Sequence, residues 1–263
     1  MTRARVACIQ TDICLCQKEK NLEKALSMIT QAVSEGAEII VLPEVFSTGF
    51  CYDRMQDSAE GPDGITLRLL SEFTSENQCV IVSSIIEKES SKEGDRYFNL
   101  GFCMENGTIM GTYRKTHPFK REKQYFSPGN VISPIRLQSK DLTIGLQICY
   151  ELRFPEVARK LSLMGADILI TVAEFPKPRQ ELWHTLVRAR AIENQIPHIA
   201  CNRTGSDPES SFFGSSMIVD AMGEVKREAG EEESILIYGI DTAETSNVRE
   251  CITVFKDRRA DIY

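Results

Sequence analysis

Three side chains could carry chemistry in this sequence: a thiol, a carboxylate and an ammonium, each just past an apolar run. Cys149 follows Leu142 to Ile148, which reads as a buried strand, and precedes Pro155, which suits the first turn of a helix. A cysteine so placed gains from backbone N–H groups and the positive end of the helix dipole, and both favour thiolate. Glu44 closes the run Ile39-Ile40-Val41-Leu42-Pro43. A carboxylate at the end of a buried strand is partly desolvated, which raises its pKa toward a value useful for taking a thiol proton. Lys115, in Tyr113-Arg114-Lys115-Thr116-His117, could place an ammonium where negative charge develops on a carbonyl oxygen. Each also has a plainer reading: one more buried thiol among 9 cysteines, a surface glutamate past a strand, an exposed lysine past another. Together they supply a nucleophile, a base and an oxyanion partner, the parts that amide cleavage requires.

The elements that must hold these groups follow from hydrophobic spacing. Val6 to Ile9 reads as a first strand, and Asn21 can cap a helix whose apolar positions are Leu22, Leu26, Ile29 and Val33, with Gly36 ending it. Ile39 to Leu42 reads as a strand buried on both faces, which puts Glu44 at its C-terminal end. A second helix runs from about Ile65 to Asn77, then a β-rich run from Val80 to Ile86. Phe98 to Met104 and Thr108 to Tyr113 flank Glu105-Asn106-Gly107, a strong hairpin signal. Past Cys149, a helix from Pro155 to about Met164, closed by Gly165, leads into a strand at Asp167 to Val172. Such a strand–turn–helix–strand unit makes a parallel pair with a right-handed crossover, and ligands bind beyond the carboxyl ends of its strands, where Cys149 lies. A further helix spans Glu181 to Asn194, with strands near His198 to Cys201, Ser216 to Asp220 and Ile235 to Ile240.

Composition narrows the class. The chain has 263 residues, 42% hydrophobic and 26% charged, as expected of a folded protein with a large core, and no Pro/Ser/Gly-rich linker divides it. A formal net charge of -7 with scattered basic residues leaves no footprint for nucleic acid. No segment approaches the ~20 apolar residues that span a bilayer, and Met1 to Asp12 lacks the pattern of a signal peptide, so a cytoplasmic protein is expected. The odd, irregularly spaced cysteines are expected to stay thiols, most of them small core residues. Cys14 and Cys16 have no second pair or nearby histidine, so no metal is expected. A His-dependent thiol protease is disfavoured, because His117, His184 and His198 lie in no such signature.

Leu42-Pro43-Glu44, Tyr113-Arg114-Lys115 and Ile148-Cys149-Tyr150-Glu151-Leu152-Arg153-Phe154-Pro155-Glu156 resemble, in order, the three catalytic motifs of the nitrilase superfamily. Arg188 to Asn194 is similar to that family's late helix, and Gly214-Ser215-Ser216 with Gly223-Glu224 to its closing hairpin, so the resemblance covers nearly the whole chain. It implies one carbon–nitrogen hydrolase domain over residues 1–263, an α-β-β-α sandwich of two roughly six-stranded sheets with helices outside, and homodimers or higher homo-oligomers. It implies an amidase that needs no cofactor, with Cys149 as nucleophile, Glu44 as base, and Lys115 with the Tyr150 N–H as oxyanion partners. A second carboxylate, Glu122, precedes Phe126-Ser127-Pro128-Gly129 at the family's distance and is expected to orient Lys115 or the substrate amide. Glu174-Phe175-Pro176-Lys177-Pro178-Arg179, Trp183 and Cys201 to Ser206 look most like the omega-amidase branch, which removes ammonia from 2-oxoglutaramate and 2-oxosuccinamate. Glu174 departs from the common pattern, where a small or amide residue often stands. N-carbamoyl amidohydrolases and nitrilases share the three motifs, and a non-catalytic binding protein on this fold is the remaining alternative. The small-molecule amide would be bound by Arg153, Phe175 and Arg179; Arg153 could instead pair with Glu151 or Glu156.

Overall fold

The computed structural model describes residues 3–92 and 94–262. In chain order the first half runs β1 (Arg3–Gln10), α1 (Lys18–Ser34), β2 (Ile39–Val41), α2 (Met55–Ser58), α3 (Ile65–Asn77), β3 (Val80–Ser91), β4 (Gly94–Glu105), β5 (Thr108–Arg114) and α4 (Glu122–Tyr125). The second half runs β6 (Ile135–Arg136), β7 (Thr143–Ile148), α5 (Pro155–Leu163), β8 (Ile168–Ala173), α6 (Gln180–Asn194) and β9 (His198–Asn202). The small ribbon of β10 (Thr204–Ser206) and β11 (Ser211–Phe213) follows, then β12 (Met217–Val219), β13 (Val225–Glu228), β14 (Ser234–Asp241) and α7 (Ala243–Cys251).

Two six-stranded sheets result, in the orders β14-β1-β2-β3-β4-β5 and β13-β12-β9-β8-β7-β6. The centre of each is parallel, β1 with β2 and β3 in one, β7 with β8 and β9 in the other, and antiparallel strands flank both. Period-two alternation decides how they stack. In β1, Val6 and Cys8 face the second sheet, in one core with Ile144, Ile148 and Ile170, while Ala7 and Ile9 face outward among Leu22, Ile29 and Leu70 of α1 and α3. In β8 the outward Leu169 meets Val157 and Leu161 of α5. Strands apolar on both faces therefore require helices outside and a sheet inside, which is the expected α-β-β-α sandwich. The Cys201 thiol reaches the carbonyls of Ile9 and Val41 across the inter-sheet core.

Local chemistry explains most boundaries. Asn106 (φ 47°) and Gly107 (φ 80°) both take left-handed backbone, as a two-residue hairpin between β4 and β5 demands. Two expectations are corrected. Asn21 is not a helix cap: α1 starts at Lys18, and the buried Asn21 side chain bonds the backbone N–H and carbonyl of Cys14 and the carbonyl of Ser47. It ties the β1–α1 loop to the loop after Glu44, where Asn can satisfy two backbone segments at once. Nor do all nine cysteines remain thiols. Cys16 and Cys51 are joined in a disulfide with a Cα–Cα distance of 5.2 Å, because those same two loops meet there, 35 residues apart in sequence. Of the others, Cys8, Cys79, Cys103, Cys149 and Cys201 are buried, as expected of small core residues.

The Phe126-Ser127-Pro128-Gly129 turn closes against β5. The Gly129 N–H donates to the Lys115 carbonyl at 2.9 Å, and a Cβ at Gly129 would overlap the carbonyl oxygen of Arg114. Backbone cannot yield as a flexible side chain does. Gly129→Ala should therefore destabilise by about 1–3 kcal/mol, the usual scale of overpacking, and a melting temperature equal to wild type would show that the contact is not tight.

Candidate active site

Glu44, Lys115, Glu122 and Cys149 come together where the two sheets present the carboxyl ends of their central strands. The sequence dictates this locally. β2 ends at Val41, and Pro43 and Glu44 turn across the sheet edge, with the Pro43 carbonyl accepting from Ser83 Oγ (2.6 Å) and the Val45 N–H donating to Ser84 Oγ (2.9 Å). Val45 has φ 40°, a left-handed conformation that a β-branched residue resists, so those serine contacts hold a strained turn. Opposite, β7 ends at Ile148, and Cys149 (φ 47°) opens a single 3₁₀ turn through Arg153.

Glu44 is fully buried and all its contacts are hydrogen bonds. Oε1 accepts from Lys115 Nζ at 2.7 Å and from Asn99 Nδ2 at 2.7 Å; Oε2 accepts from the Glu174 N–H at 2.9 Å. Lys115, 1% exposed, also donates to Glu122 Oε2 at 2.8 Å and Oε1 at 3.0 Å. One ammonium thus sits between two carboxylates. Burial would push Lys115 down, but Glu122 and Glu44 more than reverse this and hold it protonated, well above the ordinary lysine range. Burial raises Glu122, Glu44 adds to that, and Lys115 opposes it.

Burial, reinforced by Glu44, pushes the Cys149 thiol well above the ordinary value, with Lys115 opposing. The expectation that a helix dipole keeps Cys149 as thiolate is corrected here. The nine-residue helix α5 starts only at Pro155, and the rest of the 3₁₀ turn that Cys149 opens lies between it and the thiol. The resting group is a neutral thiol beside the Glu44 carboxylate, which raises its pKa further. Chemically the arrangement can pass one proton between sulfur and carboxylate beside a fixed positive charge.

Two residues that hold the site were missed in the sequence. Asn99 carries Glu44 on its side chain and the Lys115 N–H on its carbonyl (2.9 Å); an asparagine inside the apolar run of β4 was the available signal. Glu151 is the other. Its buried Oε1 accepts from the Tyr113 hydroxyl (2.5 Å), the Thr116 N–H (2.8 Å) and Thr116 Oγ1 (2.6 Å), and Oε2 from the Ile148 N–H (2.8 Å). It therefore bolts the Lys115 segment to the Cys149 turn.

A cavity of about 280 Å³ opens onto Cys149. Phe175, Tyr150, Arg153 and Arg179 all line it, as does the Cys16–Cys51 disulfide. Phe175 is buried against Trp183 and Phe213, its N–H held by Asn202 Oδ1 at 2.7 Å. Tyr150 packs on Phe119 and Phe154. Arg153 is exposed, and neither it nor Arg179 has an ion-pair partner among the described residues. The alternative pairing of Arg153 with Glu151 or Glu156 is not seen, Glu151 being spent on Tyr113, Thr116 and Ile148. Arg121, also at the cavity, is engaged by Asp53 and Glu209.

The family profile described as carbon-nitrogen hydrolase matches residues 5–250. The chain belongs to the carbon–nitrogen hydrolase family. It is 37% identical to a 2-oxoglutaramate amidase of Bacillus subtilis (strain 168), over 98% of each chain, and 31% identical to the omega-amidase NIT2 of Homo sapiens, over 100% of this chain and 98% of that one. Among solved structures, a carbon-nitrogen hydrolase from Helicobacter pylori G27 superposes with a TM-score of 0.86 at 30% identity, covering 99% of this chain and 97% of that one. The two facing sheets with outer helices are the family's sandwich.

Glu151 yields a test. Burial would raise its pKa, but the His117 ring at 3.6 Å and hydrogen bonds from Thr116, Tyr113 and the Ile148 N–H outweigh burial and hold it below the ordinary carboxylate range. A depressed folded pKa stabilises above the unfolded value and loses that contribution as pH falls through the folded one. Glu151→Gln should therefore cost about 3 kcal/mol near neutrality, and urea titrations should show the gap to wild type closing below about pH 4. A gap constant with pH would contradict the brace.

Proposed function

We propose that this hydrolase is an omega-amidase that releases ammonia from the side-chain amide of a 2-oxo dicarboxylic acid such as 2-oxoglutaramate, through a thioester on Cys149. The 2.7 Å contact between Glu44 and a Lys115 ammonium, with the Cys149 thiol beside the same carboxylate, carries the chemical part of this reading. Cys149 Sγ attacks the amide carbon while its proton passes to Glu44. Negative charge grows on the carbonyl oxygen, beside Lys115 and the Tyr150 N–H; losing one such donor commonly costs roughly 3–4 kcal/mol of transition-state stabilisation. Glu44 then delivers the proton to nitrogen, the C–N bond breaks and ammonia leaves. In the second half Glu44 takes a proton from water as its oxygen attacks the thioester carbon, the C–S bond breaks, and Glu44 returns the proton to sulfur, giving the carboxylic acid and the resting thiol. Glu122, at 2.8 Å from Lys115, keeps the ammonium aimed.

Substrate choice rests on charge and on the relatives. A dicarboxylate monoamide is anionic and this chain is net negative, so a fixed cation at the cavity is required. Arg153 and Arg179 are cations at the cavity with no carboxylate partner among the described residues, and a guanidinium grips a carboxylate bidentately. The family's other activities, on N-carbamoyl compounds and nitriles, are the alternatives.

Ammonia release across 2-oxo-acid amides, N-carbamoyl compounds and nitriles tests the reading, with the 2-oxo-acid amides expected to have the highest kcat/KM. In the same panel Arg153→Met should raise KM for the dicarboxylate monoamide by about tenfold, one charge-assisted contact, and leave a neutral amide of similar length within about twofold. Nitriles or carbamoyl compounds outcompeting amides would contradict the proposed activity, and equal losses on both amides would remove Arg153 from carboxylate recognition.

A further inference from the structure

Glu174 is a further buried carboxyl at the site, and its surroundings are unusual. The residue is 5% exposed and stands on the cavity wall. Its N–H donates to Glu44 Oε2 at 2.9 Å, so its main chain holds the carboxylate on the side opposite Lys115 and Asn99. Its side chain turns back: Oε2 accepts from Arg203 Nη1 at 3.1 Å, while Oε1 has no hydrogen-bond partner in the structure and faces Gly49, 3.6 Å from where a Cβ would stand. Arg203 is itself immovable. Fully buried, it donates to the Ile13 carbonyl at 2.8 Å, pairs with Asp12 and Asp207, and lies over the ring of Phe212. A carboxyl group is thus wedged between a fixed guanidinium and the loop that carries Glu44.

We propose that Glu174 is a positioning residue for Glu44: its peptide N–H orients the base, and its own charge adjusts how strongly that base draws the thiol proton. This rests on Glu44 acting as the base. Four kinds of charged or titratable neighbour face the Glu174 carboxyl: Arg203 from β9's end, Asp207 from the ribbon, Glu44 from the turn after β2, and Tyr52 from the loop beyond it. Asp12 shares Arg203 with it. Burial pushes Glu174 up to about 8; Arg203 opposes, Glu44 and Asp207 assist. At neutral pH the group is therefore mostly uncharged, which suits a site already holding Glu44 and Glu122 around one ammonium. A neutral acid also carries a proton that can sit on the unpartnered Oε1. When Glu174 ionises, the added negative charge falls beside Glu44, whose Oε2 is held by the Glu174 N–H at 2.9 Å and whose charge acts on the Glu174 carboxyl. Glu44 then becomes the stronger base, and transfer of the thiol proton to it is favoured.

Two variants separate this from a merely structural role. Glutamine copies the neutral acid, keeping an oxygen for Arg203 and placing an N–H group toward Gly49, but it cannot ionise. Glu174→Gln should follow wild type at about pH 6–7 and diverge above about pH 8, both in kcat/KM for an amide and in the rate at which iodoacetamide alkylates Cys149, with wild type the faster by several-fold. Glu174→Ala keeps the peptide N–H but removes the carboxyl that pairs with Arg203 and packs toward Gly49. The backbone aiming that N–H at Glu44 then loses its support, and kcat should fall by roughly one to two orders of magnitude, the scale of a misplaced catalytic group, with KM little changed and most of the loss at neutral pH recovered by glutamine. A wild-type to Glu174→Gln ratio that stays constant from about pH 6 to about pH 9 overturns the proposal, and so does a Glu174→Ala loss confined to KM. Should alanine fail to fold, the glutamine comparison decides alone. Ammonia release by wild type is measured first, so that failure of the amidase reading is seen separately, and the alkylation ratio still judges Glu174 in that case.

Discussion

A single buried ammonium organises this site. Lys115 is surrounded by Glu44 and Glu122 at 2.7 and 2.8 Å, out of contact with solvent. Taking three charges out of water is expensive, and further hydrogen bonds to Glu44, from Asn99 and from the Glu174 N–H, offset part of that cost. The same low dielectric that makes the cluster costly makes it useful. In the proposed mechanism that positive charge faces the growing oxyanion, and the carboxylate that fixes it stands beside the thiol. Cys149 therefore need not rest as thiolate. Its proton can move to Glu44 in step with attack, so no unpaired sulfur anion has to be held in a buried site.

That cluster explains why the fold needs two sheets. Glu44 leaves the first sheet after β2, Lys115 follows β5 of the same sheet, and Cys149 leaves the second after β7. Their separation is set by how closely the sheets stack, and Glu151 spans the join by accepting from Thr116 on one side and Ile148 on the other. Around the rim the loops are tied to one another as well as to the sheets, through Asn21 and through the Cys16–Cys51 disulfide. Rigid strand ends below and cross-tied loops above are the means by which three side chains from distant sequence positions are kept at hydrogen-bond distances.

Much of this was legible in the sequence, for identifiable reasons. Strands buried on both faces are continuous apolar runs, so β2, β7 and β8 could be bounded within a residue or two, and the helix over Ile65–Asn77 matched its periodic apolar positions. The polar outer half of β3, Glu87 to Ser91, was not seen, because it is held by cross-strand pairing with β4 and carries no apolar signal. The two-residue β6 and the three-residue strands of the β10–β11 ribbon are too short to show a period of their own. Site residues followed a similar division. Glu44, Lys115 and Cys149 each end an apolar run and could be singled out, whereas Asn99, Glu151 and the partner of Glu174 act through contacts 29 to 55 residues away in sequence. Asn21 looked like a local cap because its real partners, Cys14 and Ser47, meet only in three dimensions.

In the proposed mechanism Cys149 carries the acyl group during turnover, with Glu44 moving the proton and Lys115 holding the oxyanion. Mixing the protein with a saturating 2-oxo dicarboxylate monoamide, quenching in acid within a single turnover and weighing the intact chain tests this directly. A thioester survives acid long enough to be seen. The account predicts a transient species heavier than the free chain by the acyl group, located by peptide mapping to the segment containing Cys149 and released by hydroxylamine. Ammonia appearing at full rate with no acylated chain at any quench time, or an acyl group mapped to another residue, would contradict it.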